Sequence, residues 1–491
     1  MPFAPEISLL LIIVLPLLAA VLIRWVGERP NLRESVTLVS AALVLLLLLD
    51  LAAAVMQGAR PVLRIAEPFP GVPVQLALEP LGMLFALVAG TLWIVTTLYA
   101  IGYMRAHHEE NQTRFYLFFA IAIAVTMGVA FAGNLLTLFI FYEVLTLSTF
   151  PLVTHAGTPE ARRAGRVYLG ILMSTSVVFL LLAIIWTWFL AGTLEFAPGG
   201  ILAGTASSAL LGVLLLLFFF GVGKAALMPV HRWLPAAMVA PTPVSALLHA
   251  VAVVKAGVFS LLKIAVYVFG LDTLAQLPAR EWLLIVIAAS ILLASLIAMR
   301  QDNLKARLAY STISQLAYIS LGAALASSAG IIGGSMHIVM HAFAKITLFF
   351  AAGAILVAAH KTEVSQLAGL GRRMPLTFAA FTIGSFSIIG LPPFGGMWSK
   401  WYLALGTLEA GELVLLCTLM ISSLLNIAYL LPIPLRAFFG KADVADANVV
   451  EAPRYCLLAM ALTSLACLLL FLFPEPWYQL AAMVLDDVRI E

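Results

Sequence analysis

The sequence predicts an all-α polytopic membrane protein with about 14 transmembrane helices, and three observations predict it. Of 491 residues, 63% are hydrophobic and only 10% charged, against about 25% charged in soluble domains. Apolar runs recur from end to end, each suited to a spanning helix of about 20 residues. Of the 27 Lys and Arg residues, 18 gather in alternate connections, as the bias of basic residues toward one side of a bilayer requires.

The first three spans are expected at roughly 7–24, 35–56 and 80–103, and the next three at 115–132, 134–154 and 165–191. The seventh, 207–238, is broken, and the eighth covers 243–268. The remainder are 282–299, 308–325, 331–359, 375–405 (broken), 412–435 and 454–473. Turn signals separate them at Gly133-Asn134, Pro198-Gly199-Gly200, Gly333-Gly334 and Pro474. No basic residue precedes the run Ile7 to Ile23, so it is expected to be a retained first helix and not a cleaved signal. Arg24, Arg29, Arg33, Arg105, Arg162, Arg163 and most other basic residues fall in odd-to-even connections. Only Arg60, Arg64, Lys263, Arg280 and Arg489 are expected on the opposite side. This asymmetry predicts a multi-pass protein of the cell (inner) membrane with both termini outside.

Several function classes are excluded at this level. The net charge is +3 and no basic run forms a nucleic-acid patch. Cys417, Cys456 and Cys467 form no C-x-x-C pair, which supports neither an iron–sulfur cluster nor a disulfide frame. No phosphate-cradling loop, nucleotide fingerprint or nucleophile motif occurs, so no cofactor and no catalytic chemistry are expected in this chain. His337 and His341 have metal-ligand spacing, but a third ligand is lacking and no metal is expected.

Four lysines remain inside apolar runs: Lys224, Lys255, Lys345 and Lys400. Ionisable residues within a membrane mark functional sites by default. Lys224 precedes a break at Met228-Pro229, and the next run carries His249 and Lys255. Glu143 lies deep in the fifth span. Burial lowers a lysine's proton affinity and a nearby carboxylate restores it, so Glu143 with Lys224 is the candidate pair that drives a proton toward Lys255. In the second half His337, His341 and Lys345 are spaced by four and share one helix face. Lys400 follows the break Gly390-Leu391-Pro392-Pro393-Phe394-Gly395-Gly396 and stands at the exit.

Plainer readings compete at each position. Lys224, Lys255, Lys345 or Lys400 can snorkel to the interface, and Trp398 and Trp401 make Lys400 a candidate interfacial anchor. Glu143 can serve as a helix–helix hydrogen bonder. His231 beside Trp233 reads as structural or proton-carrying, and Asp50 as interfacial or functional. The two breaks occupy corresponding fourth places in spans four to eight and nine to thirteen, the sign of a transporter built from repeats.

FYEVLTLSTFPL around Glu143, K-x4-P-x-H-x-W-L-P from Lys224 and APTPVSALLHAVAVVKAGV around His249 and Lys255 resemble one family. DNLKARLAYSTISQLAYISLG, HIVMHAFAKITLFFAAGA and GLPPFGGMWSK extend the resemblance over about residues 80 to 440. These segments are similar to the antiporter-like subunits shared by respiratory complex I, membrane-bound hydrogenases and Mrp-type cation/proton antiporters. The resemblance implies two inverted five-helix repeats, each with a broken helix. It divides the chain into 1–111, 112–268, 282–436 and 454–491: three leading helices, the first repeat, the second repeat, and a last helix with a short tail. It also implies that protons move along Glu143, Lys224, Lys255, His249, His337, His341, Lys345 and Lys400. The implied partners are other membrane subunits, the lipid bilayer, protons and a monovalent cation, with no nucleic acid.

Length, the lysine at 400 and an expected tail without a lateral helix look most like the MrpD-type component of an Mrp-type Na⁺/proton antiporter. APTPVSALLH is closer to the complex I and hydrogenase pattern, which keeps a proton-pumping subunit of a redox-driven complex as the alternative. A stand-alone secondary solute transporter is the alternative from another class.

Overall fold

A computed structural model describes residues 4–441 and 444–489. The chain opens with α1 (Pro5–Trp25) and α2 (Pro30–Met56), then a hairpin of β1 (Val62–Phe69) and β2 (Val72–Ala77). Helices α3 (Pro80–Ala106), α4 (Gln112–Ala130), α5 (Leu135–Val153) and α6 (Pro159–Ala191) follow, the last with a π-turn at Ser176–Leu180. Next come α7 (Ser208–Gly221) and short turns through Val239. Then α8 (Thr242–Ala246) and α9 (Val253–Lys263) flank the π-turn Leu247–Val251. The second half holds α10 (Ala279–Arg300), α11 (Leu304–Ala324), α12 (Ser328–Ala359), α13 (Pro375–Ile389), α14 (Gly396–Glu409), α15 (Leu413–Phe439), α16 (Arg454–Leu472) and α17 (Glu475–Arg489).

Ten of these helices are long and apolar enough to cross a membrane, and α7 and α13, beside the two breaks, are shorter apolar helices. The predicted all-α character is corrected by the hairpin. Val62, Val72 and Val74 alternate with polar or small residues and favour a strand, and β1 pairs antiparallel with β2. β2 is then laid across the α4–α5 turn, with the Ala77 N–H donating to the Phe131 carbonyl at 2.7 Å and the Gly133 N–H to Gln75 at 3.0 Å. Helix starts carry their expected caps: Asn134 accepts from the Thr137 N–H, Asn303 from Ala306 and Ser327 from Gly330.

The core is built around α12. Its 32 residues extend about 48 Å at 1.5 Å per residue, and every side chain from Ala329 to Ile355 is buried. It touches α3, α8, α9, α11, α13, α14, α16 and α17. Gly333-Gly334, expected as a turn, lies inside this helix, and the turn falls earlier, at Leu325–Ser327. A Cβ on Gly333 would stand 2.6 Å from the Leu403 backbone nitrogen, so this glycine serves the close approach of α14. On α1 and α2 the outward residues Leu18, Val21, Val39 and Leu46 are exposed and apolar, the surface a lipid-facing helix requires.

Two further expectations are corrected. The first break begins at Gly221-Val222, before Met228-Pro229: α7 ends at Gly221 and Lys224 sits in a 3₁₀ turn, Gly223–Ala225. Close packing sets this point, since a Cβ on Gly221 would stand 2.5 Å from the Leu180 nitrogen and one on Gly223 2.2 Å from Thr175 Oγ1. Lys263, assigned from sequence to a surface connection, is wholly buried at the end of α9. Beyond α16 the expected short tail forms a further helix, α17, whose Leu480, Ala481 and Val484 pack inward.

Candidate functional site

The interior of an apolar bundle is a costly place for an amine unless its hydrogen bonds are met. The structure gives each of the four lysines at least one hydrogen-bond partner. Lys224 Nζ donates to the Tyr142 carbonyl at 2.7 Å and to Thr146 Oγ1 at 2.6 Å, and stands 3.2 Å from the centroid of the Tyr142 ring. The Lys224 backbone N–H donates to the hydroxyl of the same tyrosine at 3.0 Å. Tyr142 and Thr146 are four apart on α5 and present one face to the break.

Glu143 lies beside that face and within electrostatic range of Lys224. It forms no ion pair with it, and neither carboxylate oxygen has a hydrogen-bond partner among the described residues. The expected direct pair is therefore not joined in this conformation. The helical period explains it: Tyr142 and Thr146 take the inward face, and Glu143 is half-buried toward the side where Val144 and Leu147 are exposed.

Lys255, from α9, reaches α12. Its Nζ and His341 Nδ1 lie 2.6 Å apart and share a hydrogen bond. His341 and His337 follow each other along α12 with ring centroids 5.8 Å apart. His337 Nδ1 bonds Ser399 Oγ at 2.8 Å, and its ring stacks on Tyr318 at 5.6 Å. The other edge of the line is Lys400, 5.1 Å from the centroid of the same Tyr318 ring. Its Nζ donates to the Ile389 carbonyl at 3.0 Å, freed by the second break, and to Ser423 Oγ at 3.1 Å. A cavity of about 420 Å³ opens beside it, bordered by Tyr318, Gly390, Trp401 and Ser423. Trp401 is 54% exposed, so the cavity faces the flank of the bundle.

Lys345 does not join this line directly. It donates to Ser311 Oγ at 2.8 Å, which also accepts from the Tyr429 hydroxyl at 2.9 Å, and Tyr429 bonds Asn426. His249 lies on the π-turn Leu247–Val251, and its side chain lies outside the described residues. His231 is half-buried near the Tyr310 ring, 6.3 Å between centroids. Asp50 is half-buried in α2, with one oxygen lacking a partner among the described residues. No cluster of three His, Cys, Asp or Glu that could hold a metal occurs among the described residues.

Sequence reasoning missed the neutral members of this assembly: Tyr142, Thr146, Ser311, Tyr318, Ser399 and Tyr429. A signal existed on α11, where Ser311, Gln315 and Tyr318 recur at helical spacing in an apolar run, one polar face with no solvent to meet.

Residues 132–426 match the family model described as "NADH:quinone oxidoreductase/Mrp antiporter, TM". The chain is 35% identical over 363 residues to the NADH-quinone oxidoreductase subunit N of Desulforudis audaxviator, covering 72% of this chain and 71% of that one. It is 33% identical over 362 residues to hydrogenase-4 component B of Escherichia coli K12, covering 70% of this chain and 52% of that protein. The chain thus spans about half the length of some of its relatives. In fold it is similar to a chain of the Mrp complex from Dietzia sp. DQ12-45-1b, with a TM-score of 0.86 and 23% identity, covering 99% of this chain and 98% of that one. It is also similar to a chain of the archaeal membrane-bound sulfane sulfur reductase, with a TM-score of 0.85 and 25% identity over 98% of both chains. The chain belongs to the family of antiporter-like membrane subunits shared by NADH:quinone oxidoreductases and Mrp antiporters.

Proposed function

We propose that the chain is a proton-translocating subunit of a larger complex in the cell (inner) membrane. Protons move between Lys224 near the first break and Lys400 at the second. The observation that carries this reading is the row Lys255–His341–His337–Tyr318–Lys400, one hydrogen bond followed by ring contacts of 5.1–5.8 Å between centroids or amine and centroid, buried in an apolar bundle. Groups that gain and lose charge there are expensive to keep and are suited to proton transfer because their charge depends on their neighbours. Glu143 acts on Lys224 through the field and not through a bond, which lets its influence vary as the break moves. Lys345, bonded to Ser311, is a side branch that holds or returns protons, and His249 is assigned to the same path.

The same reading assigns fourteen spans. The ten long helices are joined by the two broken ones, by Thr242–Phe269, and by Leu304–Ala324. It divides them at 1–111, 112–268, 282–436 and 454–491, with inverted repeats in the middle two segments and both termini outside. The partners are other membrane subunits.

Two drives fit this axis. In an Mrp-type assembly the axis exchanges protons for Na⁺ or another monovalent cation, supported by the fold likeness along the full chain. In a redox complex, electron transfer in other subunits drives it, favoured by the sequence relatives at 33–35% identity.

The test uses the complex purified with its own partners and placed in vesicles. Lys224→Ala and Lys255→Ala are expected to assemble and to lose at least about tenfold of proton flux, an added barrier of ~1.4 kcal/mol. Assembled Lys255→Ala complexes with unchanged flux would remove the axis from the mechanism.

A further inference from the structure

One buried amine stands outside that line. Lys263 is fully buried, although its place at the end of α9 would let a free lysine snorkel to water. Its ammonium instead donates to the Ala132 carbonyl and forms an ion pair with Glu79. It also lies 4.4 Å from the centroid of the Phe196 ring and 5.6 Å from that of Phe259. The turn that supplies Ala132 is itself covered by the hairpin. β2 is tied to the α4–α5 turn by its backbone bonds, and Asn134 Nδ2 donates to the Pro73 carbonyl at 2.5 Å.

Glu79 occupies a different medium. It precedes α3, and its side chain is 15% exposed while that of Lys263 is 0% exposed. The pair therefore straddles the boundary of the bundle, the amine dry and the carboxylate at the edge of water. The surface pair Arg64–Glu195, at 3.6 Å, lies over the same end of the molecule, where Glu195 bridges to Asn134. On the inner side α9 leads to Lys255, eight residues or about 12 Å back along the helix. Between the two lysines Gly257 packs on the first break: a Cβ there would stand 2.4 Å from the Lys224 carbonyl carbon. One helix thus carries Lys255, the contact with Lys224, and Lys263. A pair kept only for stability is a poor use of two buried charges, since apolar residues of similar volume commonly serve as well.

We propose that Lys263 and Glu79 form the terminus through which the axis meets water on the hairpin face. A proton passes between Lys255 and Lys263 through water entering along α9. The Lys263 ammonium then gives it to the Glu79 carboxylate, leaving a neutral amine and a carboxylic acid, and Glu79 releases it to the surface as the carboxylate. The reverse sequence loads a proton. This inference rests on the proton-axis reading above.

The experiment measures proton flux in vesicles containing the whole complex, for Lys263→Arg, Glu79→Gln and the reference Lys224→Ala. Arginine keeps the charge and the pair but does not release its proton, and glutamine keeps the hydrogen-bonding shape. Both variants are expected in normal amounts in the purified complex, with flux at least about tenfold lower. Normal flux in Lys263→Arg or Glu79→Gln, with Lys224→Ala inactive, overturns the terminus and leaves the axis standing. Failure of either variant to assemble identifies the pair as structural and also overturns the proposal. Full flux in Lys224→Ala removes the axis itself, and the terminus with it.

Discussion

Gly257 concentrates the chemistry of the site at one atom that is missing. A methyl group there would meet the Ala225 nitrogen at 2.3 Å and the Lys224 carbonyl carbon at 2.4 Å, both backbone atoms that cannot turn aside. Overpacking of this kind costs about 1–3 kcal/mol, and relief requires the break to move away from α9 and to carry Lys224 with it. Gly257→Ala is therefore expected to lower both the yield of folded protein and the proton flux per assembled complex. Gly170 supplies the comparison: it lies within α6 and a Cβ there meets nothing within 4 Å. Alanine at that position favours the helix by about 0.5–1 kcal/mol, so Gly170→Ala is expected to leave flux unchanged and to raise the unfolding temperature slightly. Flux measured beside thermal unfolding of both variants checks the contrast. The lysines were legible in the sequence because charge in an apolar run has no bland surroundings to hide in. Lys263 was misplaced because it sits near a run's end, where a connecting loop and a buried helix end look alike.

At the scale of elements, irregular backbone gathers where protein covers it. The π-turn in α6 and the 3₁₀ turn that carries Lys224 adjoin each other, and α9, entered through the π-turn Leu247–Val251, packs on that 3₁₀ turn at Gly257. Non-helical backbone at membrane depth is tolerated only where it is buried in protein or lines a cavity. The two prolyl breaks were readable from Pro and Gly alone. The point at which α7 ends was not, because it depends on glycine contacts with α6 that no local pattern encodes, and the Gly333-Gly334 dipeptide misled for the same reason.

Outside the spans, the α10–α11 connection is fastened by Asp302, whose carboxylate accepts from the Ser365 N–H at 2.9 Å and from its hydroxyl at 2.6 Å. Donation from the Ser365 side chain holds the Asp302 carboxyl below its usual range. A carboxyl lowered in the fold stabilises it above the unfolded pKa and loses that contribution as pH falls through the folded one. The group is exposed, so solvent screens the effect to a small size. Ser365→Ala is expected to raise the Asp302 pKa and to bring the acid-side loss of stability to higher pH. Unfolding temperature measured from pH 7 down to pH 3 reads that displacement, and identical profiles for variant and parent would show that this contact does not contribute.

For the molecule as a whole, α12 makes the two halves one object. Its His341 shares a hydrogen bond with Lys255 of α9 and its His337 with Ser399 of α14, so the proposed line draws on both halves. This long, buried helix also packs on α9, which touches the first break, and on α14, which follows the second. The membrane class, the order of helices and the lysine-bearing runs could be read in advance from hydropathy and charge. The hairpin, the tyrosine and serine links and the terminal helix could not, since each depends on contacts between distant segments. What drives the axis is a property of the assembly, and it separates the two readings cleanly. If the complex is a cation exchanger, an imposed Na⁺ or K⁺ gradient moves protons in vesicles with no electron donor present, and collapsing the cation gradient stops it. If it is redox-driven, the same gradient moves no protons, and flux follows addition of an electron donor and acceptor. In both cases Lys255→Ala is expected to abolish the flux, because the line from Lys255 to Lys400 is common to both drives. Proton flux under a cation gradient alone, at the rate seen with the full set of subunits, would assign exchange, and flux only on addition of an electron donor and acceptor would assign redox drive.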